Sequence, residues 1–417
     1  MIYRFNEDTA HIKFGKREWF KMVWEVKTLK QAVGPILWLN CIFCMGIFEI
    51  PTNRPRYLPS VFYTILIVVG YFLMLCKGLW IFVQAYNFEF IIFQFVMAVN
   101  ILVAFLAVIL FWFKSENMTN IIKRNGIADN TLKTLGIKSD YSKLFRNVLS
   151  LIIIWTIGMI IMSVTIVLWM YRKTGYWSAI FCSICVCFPI MVNSIVGLTF
   201  ASFIRCIQQK FYKINDLIDN VVLCVNKSNA IKIHNRHDKT SFTFVMANYK
   251  NHKDKIIHLI QTLRVLHLEI TKIGQQINRA YCFQLLLELA VHFTVVTACT
   301  YCLYRVFSGH LVIDSEKVID LALWGSVYSI KIILINMLCT SVSNEAYKTG
   351  ELIQSFEGAI IDEDMREEIH QFTQQVMLNS LSFTASGFFS IDNCLTGKFF
   401  ATVTTYVVIL IQMNVSH

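Results

Sequence analysis

Glu288 and His292 stand one helical turn apart inside a long apolar run, where water cannot solvate either of them. In the next run Trp324, Tyr328 and Lys331 share one face at helical spacing, with Asn336 deeper. Counted from the ends of their runs, His292 and Lys331 reach the same depth. Trp169, Trp177, Tyr301, Tyr304 and Arg305 gather at run ends. Such residues have two uses. The inner groups bond helix to helix and the outer rings form an interfacial belt, or together they make an aromatic-walled pocket with a few polar anchors. A third group closes the chain, where Thr402, Thr405, Ile409, Gln412 and Met413 recur at spacings of three and four. That mixed stripe either lines a water-filled passage or packs inside a bundle with its polar groups bonded to neighbours.

The elements that hold these residues follow from composition. Hydrophobic residues make up 56% of the 417 residues and charged residues 16%, against roughly a quarter charged in soluble domains. The apolar residues come in blocks of about 20, the length that crosses ~30 Å of hydrocarbon. This is an all-α membrane protein. Its formal charge of +11 would suggest nucleic acid in a soluble chain. Here the excess lies between apolar blocks, so a lipid bilayer is the partner and nucleic acid is not. Residues 1–30 are polar and basic, and no cleavable signal sequence is expected.

Apolar stretches fall at about 34–50, 60–83, 90–113, 148–170, 178–206, 281–307, 320–343 and 387–413. Charge decides which of them cross. With the N-terminus inside and 34–50 not crossing, the cytoplasmic segments hold 31 lysines and arginines and the outer segments 3, a strong positive-inside signal. The 34–50 stretch is short, carries Gly34, Pro35 and Gly46, and suits an interfacial or re-entrant helix. Seven spans result, with the N-terminus in the cytoplasm and the C-terminus outside.

The expected organisation is a cytoplasmic segment over 1–59, spans one to four over 60–206, and a cytoplasmic loop with helical extensions over 207–280. Spans five and six follow over 281–343, a cytoplasmic connection over 344–386, the last span over 387–413 and an outer tail over 414–417. Phe211, Ile214, Leu217 and Ile218, and Ile256 through Ile277, form apolar stripes beyond the spans, so long helices project from the membrane and pack together. Residues 225–250 form a polar connection with solvated His234 and His237.

Thirteen cysteines mostly fall inside apolar blocks, where they act as small apolar side chains. None lies in an outer loop, so no extracellular disulfide is expected. The sequon at Asn117 is cytoplasmic and that at Asn414 lies outside, close to the chain end. No metal, cofactor or catalytic constellation appears, and the chain does not read as an enzyme. The apolar stretch Phe399 to Met413 covers only ~22 Å of helix, and extending it backward brings in Asp392, Asn393 and Lys398.

Thr405-Tyr406, five apolar residues and then Gln412 resemble the C-terminal Thr-Tyr-(five hydrophobic)-Gln-Phe signature of insect gustatory receptors, with Met413 in the place of phenylalanine. Gly387-Phe388-Phe389-Ser390-Ile391-Asp392 and the Gly34-Pro35 to Gly46 stretch are similar to the family as well. The resemblance implies a homotetrameric, or with other gustatory receptors heteromeric, tastant-gated non-selective cation channel of the plasma membrane of sensory neurons. One last helix per subunit lines the pore, with cytoplasmic extensions as an anchor domain. It maps the pore and gate to Thr405, Tyr406, Ile409, Gln412 and Met413, the apolar ring falling on Ile409 and Met413. It places a small-molecule tastant in the outer half of the bundle, where the candidates are Glu288, His292, Tyr301, Tyr304, Trp324, Tyr328, Lys331 and Trp177. Sweet-taste members carry glutamate after the Thr-Tyr pair. Val407 here points away from the main sugar clade, toward a bitter or other tastant, and leaves a fructose type open.

Two rival functions fit seven spans. A G-protein-coupled receptor has the opposite orientation, and no Asp-Arg-Tyr or Asn-Pro-x-x-Tyr element is present. A secondary transporter is expected to carry paired repeats, and none is evident.

Overall fold

The computed structural model describes residues 26, 28–47, 56–85, 91–137, 140–234, 242–309, 315–358 and 363–415. The expectations for residues 1–25, His237 and the end of the Asn414 sequon lie outside them. Among the described residues, two short helices, α1 (Leu29–Ala32) and α2 (Gly34–Ile42), come first. The long helices are α3 (Tyr57–Ala85), α4 (Ile91–Thr134), α5 (Tyr141–Thr174), α6 (Tyr176–His234), α7 (Phe242–Phe307) and α8 (Ser315–Gln354). Helix α9 (Glu363–Leu378), a hairpin of β1 (Thr384–Ala385) and β2 (Phe389–Ser390), and α10 (Asn393–Val415) complete the chain.

Among the described residues seven helices, α3 to α8 and α10, are long and apolar enough to cross a membrane. Helices suit this task because each satisfies its own backbone polar groups where hydrocarbon offers none. The 34–50 stretch does not span. Its helix has 9 residues, and Val33 and Ile36 pack with Leu144, Val148 and Cys206 inside the bundle. Asn40 Nδ2 donates to Thr199 Oγ1 at 2.9 Å. The segment is therefore docked on α5 and α6.

Helices α6 and α7 have 59 and 66 residues, about 90 and 100 Å of helix, far beyond a bilayer. Their excess lies at the basic end of the bundle. There the stripes foreseen from sequence meet: Phe211, Ile214 and Ile218 share a core with Ile260, Leu263, Ile270, Ile273 and Ile277, joined by Ile369 and Phe372 of α9. Polar ties fix the register. Lys210 pairs with Asp129 and donates to the Asn125 carbonyl, and Asn215 Nδ2 donates to Glu345 Oε1 at 2.9 Å.

The hairpin reverses the chain into the last helix. Ser386 and Gly387 adopt positive φ in its turn, the left-handed conformation that glycine tolerates best. Asn278 of α7 clamps it, accepting from Thr384 N at 3.2 Å. Gly274 lets the segment leading into β1 approach, since a Cβ there would stand 2.9 Å from Leu381 Cδ1. Asp392 caps α10 by accepting from Leu395 N at 2.8 Å, and Thr340 of α8 accepts from Asn393 N at 3.0 Å. Asp392 thus lies before the helix, not within it. The helix has 23 residues, roughly 35 Å, which suffices to cross.

Burial ranks the spans. In α6, 67% of the apolar window is buried, and in α3 only 6%, so α6 is the centre of the bundle and α3 its rim. A tyrosine helps to tie the two. Pro189 lies inside α6 and has no N–H for the carbonyl four residues back, which belongs to Cys185. Tyr71 of α3 supplies the donor instead, its Oη 3.1 Å from that carbonyl, and its ring stacks on Phe188 at 4.8 Å. Tyr71→Phe is therefore expected to cost about 1 kcal/mol of stability in detergent. Pro189→Ala returns the carbonyl its own donor, so the same change in that background should cost clearly less. Thermal unfolding of the four proteins in a double-mutant cycle measures the coupling, which is absent if Tyr71 only fills space.

Candidate functional site

Four helices bring polar side chains together in mid-bundle. Helix α7 carries Glu288 and His292, α8 carries Tyr328 and Lys331, α4 carries Asn100, and α6 carries Asn193. All but Lys331 are buried. Lys331 Nζ lies 3.1 Å from Glu288 Oε2 and 3.4 Å from the Asn193 carbonyl. Tyr328 Oη donates to Asn100 Oδ1 at 3.2 Å, and Asn193 Nδ2 donates to the Asn100 carbonyl at 3.1 Å. Gly197 makes room on α6, for a Cβ there would stand 3.1 Å from Lys331 Cε. The ammonium and carboxylate neutralise each other, and removing Lys331 leaves the buried Glu288 without its counterion.

An aromatic column rises from this cluster. The Trp324 and Tyr328 rings stack at 6.1 Å, and His292 meets Tyr328 at 5.1 Å. Asp320 extends the same face of α8 and accepts from Thr165 Oγ1 at 2.7 Å. Two small cavities flank the Glu288–His292 turn. One of ≈ 20 Å³ is bordered by Asn193, Tyr328 and Lys331. The other, ≈ 30 Å³, is bordered by Asn336, Ile391 and Leu395, at the start of α10.

The structure thus joins Glu288, His292, Trp324, Tyr328 and Lys331, as their spacing suggested. Tyr301 is buried, whereas Trp177 and Tyr304 are 80% and 40% exposed and stay apart from the cluster. Trp177 meets Tyr176, which meets Tyr171, in an aromatic group at the junction of α5 and α6, the arrangement of a membrane-interface belt. Asn100, Asn193, Gly197 and Asp320 were not among the sequence candidates. The two asparagines and Asp320 carry the signal that identified the others, a polar side chain inside an apolar helix. Gly197 carries no such signal, since its role exists only through its neighbours.

Helix α10 has two faces. Leu395, Phe399, Val403 and Val407 are buried at intervals of four, and the helix packs against α7 and α8. Phe293 of α7 meets Phe399 and Tyr406 edge-on at 6.1 and 5.3 Å. Near the start of the helix, Asn336 of α8 donates to Thr396 Oγ1 at 2.8 Å. The opposite face is uncovered: Thr402, Thr405 and Gln412 are exposed, Ile409 is 43% and Met413 62% exposed.

The chain is similar to known proteins across this architecture. Putative gustatory receptor 28b of Drosophila melanogaster is 21% identical over 69% of this chain and 62% of its own length. Gustatory receptor 68a of the same fly is 30% identical over 34% of this chain and 37% of its own. The alignment therefore spans less than two thirds of either relative. Among solved structures, the insect olfactory receptor OR5 from Machilis hrabei in complex with eugenol superposes with a TM-score of 0.67 at 13% identity, covering 92% of this chain and 98% of that one; the likeness is one of fold. The 7tm chemosensory receptor family matches residues 35–416, and the chain, a multi-pass membrane protein of seven spanning helices, belongs to that family.

Proposed function

We propose that the chain is a gustatory receptor subunit forming a tastant-gated, non-selective cation channel in the plasma membrane. The observation that carries this reading is the uncovered face of α10. A span whose one face is apolar and packed, and whose other offers threonines, an amide and two aliphatic side chains, needs further copies to enclose it. Four copies around an axis bring Thr402, Thr405, Ile409, Gln412 and Met413 to a common passage, with Tyr406 held at its edge by Phe293. The orientation follows the charge asymmetry, with the N-terminus and the basic end in the cytoplasm. That end, with 207–280 and 344–386 at its heart, acts as the anchor.

The gate in this reading is hydrophobic. Ile409 and Met413 stand ~6 Å apart along the helix, so four copies give two stacked apolar rings. Water in a narrow apolar ring loses hydrogen bonds that the wall cannot replace. Closure then needs only a small radius. A small-molecule ligand binds the mid-bundle cluster and the aromatic column above it. The cluster also borders the start of α10, through the second cavity and the Asn336–Thr396 bond, so a shift of α8 is passed to the last helix. A few kcal/mol of preference for the open arrangement moves the population. The binding of eugenol to a protein of this fold, and the gustatory names of the relatives, support the reading. No internal repeat or conserved-triplet signature favours the transporter or G-protein-coupled alternatives.

Ile409→Ser or Met413→Ser is expected to hydrate the ring and raise ligand-independent cation conductance, normalised to surface protein. If the double variant stays silent without ligand and opens normally with it, the gate lies elsewhere. Antibody labelling of intact cells is expected to reach a tag after His417 and not one before Met1; the reverse pattern overturns the orientation. Mass measurement in detergent is expected to give a tetramer, and a conducting monomer would refute the assembly.

A further inference from the structure

The mid-bundle cluster has a definite hydrogen-bond polarity. Asn100 Nδ2 donates to the Val96 carbonyl at 2.9 Å, which fixes its Oδ1 as the acceptor for Tyr328. Asn193 turns its Nδ2 toward the two oxygens of Asn100, so its Oδ1 points the other way. His292 Nδ1 meets the Glu288 carbonyl, which has only lone pairs, so that nitrogen carries the ring proton and Nε2 is an acceptor. Glu288 Oε1, His292 Nε2 and Asn193 Oδ1 are therefore three buried acceptors, and none has a hydrogen-bond partner among the described residues. All three side chains are more than nine-tenths buried, and all three residues border the ≈ 20 Å³ cavity. Buried acceptors without donors are costly, so the cavity calls for a donor.

We propose that this cavity is the subsite for a hydroxyl group of a neutral ligand, filled by one ordered water in the resting protein. The inference rests on the receptor reading above and names its ligand class. The volume is that of about one water position. The Glu288–Lys331 pair carries no net charge, so a neutral group suits the space best. An ammonium would face Lys331, and a carboxylate would face Glu288. A hydroxyl donates its proton to the acceptor group and offers a lone pair to Lys331 Nζ, which borders the same space. Met159 and Met162 form part of the wall, and their unbranched thioethers yield to the apolar body of a ligand more readily than β-branched side chains do.

Two measurements test this. A cryo-EM map of the full chain in lipid without ligand should show one water peak within hydrogen-bonding distance of the acceptors; an empty cavity overturns the proposal. Cells bearing the receptor are then exposed to aromatic and aliphatic alcohols, their methyl ethers and the matching primary amines. Alcohols are expected to activate, ethers to need about tenfold higher concentration, and amines to fail. His292→Phe, which removes Nε2 and keeps the ring, should shrink the gap between alcohol and ether; if that variant does not reach the surface, the wild-type panel and the water peak decide. Ethers or amines as potent as the alcohols overturn the proposal. So does silence toward the whole panel in a receptor whose Met413→Ser form conducts. Failure of Met413→Ser itself counts against the gate, and the water peak then judges the subsite separately.

Discussion

Hydrocarbon supplies no hydrogen bonds, so every polar atom that this chain carries into the membrane must find a partner within the protein. The seven helices are the first response to that constraint, and the details follow from it as well. Pro189 frees one carbonyl and Tyr71 is placed to take it. Asn193 bonds to Asn100, and Asn100 accepts from Tyr328. Glu288 and Lys331 come into the bundle together as an ion pair. Polar pairs of this kind fix which face of each helix meets which neighbour, a choice that apolar packing alone leaves loosely specified.

The same accounting singles out the places where the chain is not self-sufficient. At mid-bundle, acceptors outnumber donors around a cavity too small for a drug-sized molecule. On α10 the buried stripe of Leu395, Phe399, Val403 and Val407 secures one face, and the other is exposed. In the proposed mechanism these two features are the ends of one device. Helix α8 touches both, with Tyr328 and Lys331 at the cluster and Asn336 and Thr340 at the start of α10.

The basic end is built differently. Its core of Phe211, Ile214, Ile270, Ile273 and Phe372 is that of a soluble helical domain, where water expels apolar surface. Joining it to the membrane part through the unbroken helices α6 and α7 makes a stiff frame. The short last helix is attached to that frame through the hairpin, held by Asn278 and seated against Gly274.

The sequence by itself determined the number of spans, the existence of the projecting helices and the side chains of the cluster on α7 and α8. Each of these is a local property: block length, period, or a charge where none is tolerated. Periodicity also found the exposed stripe of α10, because the residues that define it lie within a few turns. Tertiary structure decided the rest. It docked α2 on α5 and α6, through Asn40 and Thr199, which are far apart in sequence. It set Trp177 and Tyr304 outward although their types matched the inner aromatics, because helix rotation depends on neighbours. It recruited Asn100, Asn193 and Gly197 to the cluster and moved Asp392 out of the last helix into its cap. Those outcomes depend on which helices meet and at what height, and composition and spacing along one chain segment contain no measure of either.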